Sequence, residues 1–224
     1  KDVETRLPDG LALVAVLPRA DPRDRLIGAA SLAALPPGAR VGTSSPRRAA
    51  QLRARRPDCE PVLLRGNVAT RLARVAEGAI AASFLAAAGL DRLGVEAGVA
   101  LEIADWLPAA SQGIVGITAR ADDATTRAAL AAIDDSETHL AALAERAVLS
   151  GIGGSCRTAL AAHARRGTDG RLHLAAELMS PDGAETVRAA DSASVGTRTD
   201  AEALGAAIAA RLLDEASEAI RASL

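Results

Sequence analysis

Aromatic side chains are nearly missing from this sequence: 224 residues include one Phe, one Trp and no Tyr. That removes the stacking platforms on which single-stranded nucleic acid is held. It also leaves the core to Ala, Leu, Val and Ile. Cysteine is scarce too, and two thiols, Cys59 and Cys156, do not make a disulfide framework; the context reads as reducing cytoplasm. His139, His163 and His173 are scattered, and no Cys/His cluster has metal-ligand spacing, so no metal is expected. Arg, Asp or Gly interrupts every apolar run before it reaches the length of a membrane span. The opening Lys1-Asp2-Val3-Glu4-Thr5 shows no basic stretch leading into an apolar one, so no signal peptide is expected. With a net charge of −2 and no nucleic-acid motif, neither nucleic acid nor membrane is an expected partner.

What is present divides into three regions. Leu11 to Leu17 is an apolar run closed by the polar break Arg19-Ala20-Asp21-Pro22-Arg23-Asp24. Strand-like and helix-like segments then alternate: strand from Arg40 to Gly42, helix from Pro46 to Arg56, strand from Glu60 to Leu64, helix from Val68 to Glu77, strand from Ile80 to Ala86. That βαβαβ order predicts a parallel sheet with helices on its faces. After Pro108 comes a second apolar run, Gly113 to Thr118, and a helix from Asp122 to Ile133. Beyond the helix Glu137 to Leu149, three alternating runs (158–164, 172–179 and 185–189) are joined by Thr168-Asp169-Gly170 and Ser180-Pro181-Asp182-Gly183. Those turn residues predict an antiparallel meander, closed by a helix from Asp200 to Ala222.

The chemistry starts at Gly42-Thr43-Ser44-Ser45-Pro46-Arg47-Arg48. Ser45 is a good N-cap and Pro46 a good first helical residue, yet Arg47 and Arg48 fall in the first turn, where the helix dipole disfavours cations. The oddity repeats at Arg65-Gly66-Asn67, where Asn67 can cap the next helix and Arg71 lies near its start. Two helix N-termini dressed with guanidinium predict an anion site. A solvated surface explains Arg53, Arg55, Arg56 and Arg74 adequately; a pocket for a small molecule with several carboxylates fits the rest better, because Arg forks read carboxylates bidentately. Cys156 adds to this. It stands in the loop Gly153-Gly154-Ser155-Cys156-Arg157, where glycines free the backbone to present the sulfur and Arg157 favours thiolate.

Five stretches carry a resemblance: Val41-Gly42-Thr43-Ser44-Ser45-Pro46-Arg47-Arg48, Leu64-Arg65-Gly66-Asn67-Val68-Ala69-Thr70-Arg71-Leu72, the run from Leu85 to Gly94, Pro108-Ala109-Ala110-Ser111-Gln112-Gly113, and the Gly-Gly-Ser-Cys loop. In this order they resemble the porphobilinogen deaminase (hydroxymethylbilane synthase) family. The resemblance implies an α/β fold: two lobes like those of periplasmic binding proteins, the first incomplete because the chain begins inside it, and a C-terminal α+β domain with a three-stranded antiparallel sheet. The implied boundaries are residues 1–18 with 112–134, then 19–111, then 135–224.

It also implies a cytoplasmic monomer that joins four porphobilinogen molecules head to tail into hydroxymethylbilane, releasing ammonia at each step of tetrapyrrole (haem and porphyrin) biosynthesis. The chain would grow on a dipyrromethane cofactor bonded through a thioether to Cys156. By position, Arg47, Arg48, Arg65 and Arg71 match the family's carboxylate-binding arginines. Ser44, Ser45 and Arg92 are further contacts, with Gly66, Asn67 and Gln112 in the same cleft. Lys1-Asp2-Val3 resembles the end of a motif whose Asp contacts pyrrole N–H groups, which makes Asp2 the expected catalytic carboxylate and Lys1 a neighbouring contact. Two other readings stay open: a carboxylate-binding module in which Cys156 is idle, and an inactive fragment of the enzyme.

Overall fold

A computed structural model describes residues 4–155 and 157–224; the expectations for Lys1, Asp2 and Cys156 therefore lie outside the described residues. In chain order the elements are β1 (Leu11–Val16), β2 (Asp24–Ile27), β3 (Arg40–Thr43), α1 (Pro46–Arg55), β4 (Glu60–Leu63), α2 (Val68–Ala76), β5 (Ala82–Ala86), α3 (Ala87–Arg92), β6 (Val99–Ala100), β7 (Gly116–Arg120), α4 (Ala124–Ala131), α5 (Ser136–Gly151), β8 (Leu160–Arg166), β9 (Leu172–Met179), β10 (Thr186–Ala193), α6 (Arg198–Glu215) and α7 (Glu218–Arg221). They form a mixed α/β structure with three sheets: β1 with β7, a five-stranded sheet in the order β4-β3-β5-β2-β6, and the antiparallel β10-β9-β8.

Local signals explain most of the boundaries. The Ser45 hydroxyl caps α1 by accepting from the Arg48 N–H, and Pro46 occupies the first turn. The helix stops at Arg56, which Pro57 forces out of helical geometry. Asn67 caps α2, and Thr197 with Asp200 forms a reciprocal capping box at α6. The closing helix is shorter than predicted: Ala216 turns extended at ψ 132°, and Ser217 starts the separate turn α7.

The three strands expected to be parallel, β4, β3 and β5, are so, and the sheet extends beyond them. Only β2 runs against the others: it pairs antiparallel with β5 on one side and with β6 on the other. The polar break of the sequence runs into β2, which pairs Leu26 with Phe84 and Ile27 with Ser83. Its first residue, Asp24, is wholly buried. The chain's only two aromatics meet in this core, Phe84 and Trp106 stacking at 4.8 Å between centroids.

In the C-terminal part, Leu172, Leu174, Ala176 and Leu178 of β9 face α5 and α6 in one apolar cluster. The helices approach closely because α6 has Gly205 where a Cβ would run into the Ala144 carbonyl. Glu145 of α5, fully buried, joins this part to the segments that link the other two sheets. It accepts from Arg19 Nη1 at 2.6 Å, from the Ser111 N–H at 2.5 Å and from the Ala164 N–H at 2.6 Å. A buried carboxylate is stable only when its charge and lone pairs are met in this way.

Candidate functional site

The two arginines that open α1 do not point into solvent. Arg47 and Arg48 are 3% and 5% exposed and turn inward onto Asp24. Arg47 Nη2 donates to Asp24 Oδ2 at 2.8 Å; Arg48 donates from Nη2 to Oδ1 at 2.6 Å and from Nε to Oδ2 at 3.2 Å. Trp106 Nε1 and Gln112 Nε2 add one bond each, both at 2.8 Å. Burial alone would raise the Asp24 pKa. The charges of Arg47 and Arg48, with hydrogen bonds from Arg48 and Trp106, outweigh that and hold it far below the usual carboxylate range. The sequence reading assigned both forks to a ligand. The fold also ties them to a carboxylate twenty-odd residues upstream while both still line a cavity, and Arg47 is further bound to Gln51 and the Leu107 carbonyl.

The cluster is still unbalanced, since two guanidinium groups share one carboxylate. The excess positive charge lies where two cavities adjoin. One, of about 280 Å³, is lined by Ser44, Ser45, Arg48, Arg71, Gln112 and Ser155. The other, of about 370 Å³, shares Arg48 and Arg71 and adds Gly66, Asn67 and Arg92. Arg71 bridges the two helix N-termini, donating to the Gly66 carbonyl at 3.0 Å and to Ser44 Oγ at 3.4 Å. Burial and the nearby charge of Arg48 both lower its pKa. Gly66 has φ 117°, and a Cβ there would meet Thr70 at 2.8 Å, so no side chain fits. Of the expected residues, Arg65 is the outlier: it follows the inward-facing Leu64, is exposed, and lines neither cavity.

Two features escaped the sequence reading. Arg55, taken as a solvated cation, donates to Glu177 of β9 at 3.1 Å and lies 5.4 Å from the centre of the Trp106 ring, so it joins α1 to the C-terminal sheet. Arg146 of α5, unmarked by any motif, lines the smaller cavity beside Ser155. A third cavity, of about 1020 Å³ between residues 102–107 and the C-terminal sheet, contains none of the expected site residues. Cys59 is buried, and burial pushes its thiol pKa up, which disfavours a nucleophilic role.

Comparison with known proteins gives this site a context. The family model "Porphobilinogen deaminase, dipyromethane cofactor binding domain" matches residues 1–128, and "Porphobilinogen deaminase, C-terminal domain" matches residues 139–214. The chain belongs to the porphobilinogen deaminase family. A porphobilinogen deaminase of Sphingopyxis alaskensis is 54% identical over 99% of this chain and 70% of its own length. Those of Ralstonia nicotianae and Paracoccus denitrificans are 47% and 46% identical, over 100% and 95% of this chain and 68% of each relative. The family match covers the segments carrying Asp24, Arg48, Arg71 and Gln112. Among the described residues no helix is long and apolar enough to cross a membrane.

Proposed function

We propose that this chain is a transferase that joins four porphobilinogen units head to tail into hydroxymethylbilane, releasing ammonia at each step of tetrapyrrole biosynthesis. The observation that carries the reading is the uncompensated charge of the Asp24–Arg47–Arg48 cluster at the junction of two cavities, with Arg71 alongside. Every pyrrole of such a substrate and product bears an acetate and a propionate. A site that accepts a growing row of them needs fixed cations with directional donors, which arginine supplies.

The residues present fit a dipyrromethane cofactor. It would bring four carboxylates and two ring N–H groups to a site where the acceptor Gln112 Oε1 and the Ser111 hydroxyl are buried without partners among the described residues. Arg48, Arg71 and Arg92 would hold its carboxylates, with Ser44, Ser45 and the α2 N-terminus at Gly66–Asn67 as neutral donors. Arg65, exposed beside Gly66, and Lys1, by its place in the motif, are assigned as further carboxylate contacts. Arg47 acts through Asp24 and Gln51. When bound, the group supplies the pyrrole carbon to which substrate is added.

Cys156 is assigned the thioether, favoured as thiolate by Arg157. Asp2 is assigned the stabilisation of positive charge that develops on the substrate ring as ammonia departs, and the accompanying proton transfer. The five-stranded sheet and its helices fit the second of two lobes like those of periplasmic binding proteins, residues 19–111. Residues 1–18 with 112–134 are assigned to the first lobe and 135–224 to cofactor attachment. A cytoplasmic monomer is the form proposed, since a thioether site needs a reduced thiol.

Intact-protein mass of the enzyme expressed from its gene tests the reading. The parent should carry the mass of two linked pyrroles, Cys59→Ser should keep it, and Cys156→Ser should lose it. An unmodified parent that binds carboxylates without consuming porphobilinogen would leave a binding module instead.

A further inference from the structure

Arg146 projects from α5 to a distant part of the chain. Its Nη2 donates to two consecutive backbone carbonyls, that of Glu4 at 2.6 Å and that of Thr5 at 2.9 Å. Thr5 makes a second tie: its hydroxyl donates to the Gly154 carbonyl at 3.1 Å. Glu4 follows Asp2 by two residues, and Gly154 precedes Cys156 by two. The three bonds thus join the backbone just after the assigned carboxylate to α5, through Arg146, and to the loop just before the assigned thiol, through Gly154, across more than 140 residues of sequence. They do so at the wall of the smaller cavity, which Arg146 and Ser155 line together with Arg48 and Arg71.

The chemistry of these groups suits holding. One nitrogen donating to two successive carbonyls restrains both the position and the direction of the backbone there. The Thr5 hydroxyl anchors the same residue to a different segment, so a shift that keeps one tie must break the other. Burial takes the Arg146 guanidinium partly out of water, where bonds to carbonyls are stronger than at an open surface. Precision matters in such a place, because a displacement of about 1 Å in a catalytic constellation can cost roughly a hundredfold in rate.

We propose that Arg146 and Thr5 are positioning residues that set where the segment carrying Asp2 meets the loop carrying Cys156. The proposal rests on the assignment of those two residues made above.

The test uses the enzyme expressed from its gene, with Thr5→Val, Arg146→Met and Arg146→Lys each made in the parent and in an Asp2→Asn background. Thr5→Val removes only the hydroxyl. It should retain the cofactor mass, melt within about 2 °C of the parent and exchange the amides of residues 4–7 faster. Its kcat should fall about tenfold with KM changed less than about twofold, the mark of an interaction felt in the transition state. In the Asp2→Asn background the same change should cost less than about twofold, because no carboxylate remains to be positioned. Arg146→Lys, which can still reach one carbonyl, should fall between the parent and Arg146→Met.

Full activity and unchanged amide exchange in Thr5→Val would overturn the proposal. So would equal losses in both backgrounds, which would make the pair an ordinary stabilising contact. If Arg146→Met does not fold, Thr5→Val decides alone. A parent without the cofactor mass would sink the functional reading instead, while the amide exchange of Thr5→Val would still report on the tie.

Discussion

Glu145 accepts a 2.5 Å hydrogen bond from the backbone N–H of Ser111, which at φ 61° is the one non-glycine residue with positive φ among the described residues. A left-handed serine is strained and persists only where its surroundings enforce it. Here a buried carboxylate from another part of the fold does so, while Arg19 neutralises that carboxylate at 2.6 Å.

Glu145→Ala should therefore be among the most damaging single changes in the chain. It would leave Arg19 without its partner and the N–H groups of Ser111 and Ala164 buried and unmet, a loss of about 3–5 kcal/mol by analogy with other broken buried pairs. Chemical denaturation read by circular dichroism measures it. A loss below about 1 kcal/mol would mean that water or another acceptor replaces the carboxylate.

Asp24 should behave similarly, with a pH signature of its own. Asp24→Asn keeps the shape but leaves Arg47 and Arg48 buried without a counter-charge, again about 3–5 kcal/mol. Because folding depresses the Asp24 pKa, its contribution is complete above the unfolded value near 4 and is lost progressively as pH falls below that. The stabilities of parent and variant should converge between about pH 4 and pH 2 and stay apart from pH 5 to 8. A constant gap across the whole range would show that the charge of Asp24 is not what the cluster needs.

His163 acts in the opposite charge sense over a milder range. Burial lowers its pKa to about 4, aided by Arg19 and Arg165 and opposed by Glu145. The unfolded chain therefore binds a proton that the folded chain refuses between pH 6.5 and 4. Stability tied to this imidazole is complete above pH 6.5 and declines as pH falls to 4, by about 3 kcal/mol at most. His163→Gln should flatten that part of the stability curve. An unchanged slope between pH 6.5 and 4 would mean that the ring charges in place without cost.

What the sequence made legible was whatever depends on neighbours in the chain. Ser45-Pro46 and Asn67 announce their helices because a cap bonds two or three residues away, and Thr168-Asp169-Gly170 announces its hairpin for the same reason. The arginines were recognised as exceptional from their place in a first turn, but their partner was not. Asp24 reads as one charge in a polar break until β2 is seen to insert antiparallel into the sheet. Arg55 likewise reads as a cation well placed at a helix C-terminus, since nothing local points to Glu177. The break before α7 has no Gly or Pro to mark it. Arg146 looks like any polar residue of an amphipathic helix until its two carbonyls are found near the other end of the chain.

The Phe84–Trp106 stack has an optical consequence. With no Tyr and a single indole in the chain, ultraviolet fluorescence excited near the indole band comes from one ring, buried to 1% exposure, hydrogen-bonded to Asp24 and within 5.4 Å of the Arg55 guanidinium. Its emission colour and quenching thus report on the charge cluster itself. Any event that pulls Arg47 or Arg48 away from Asp24 changes the electric field along that indole, so the chain carries its own spectroscopic gauge of the cluster.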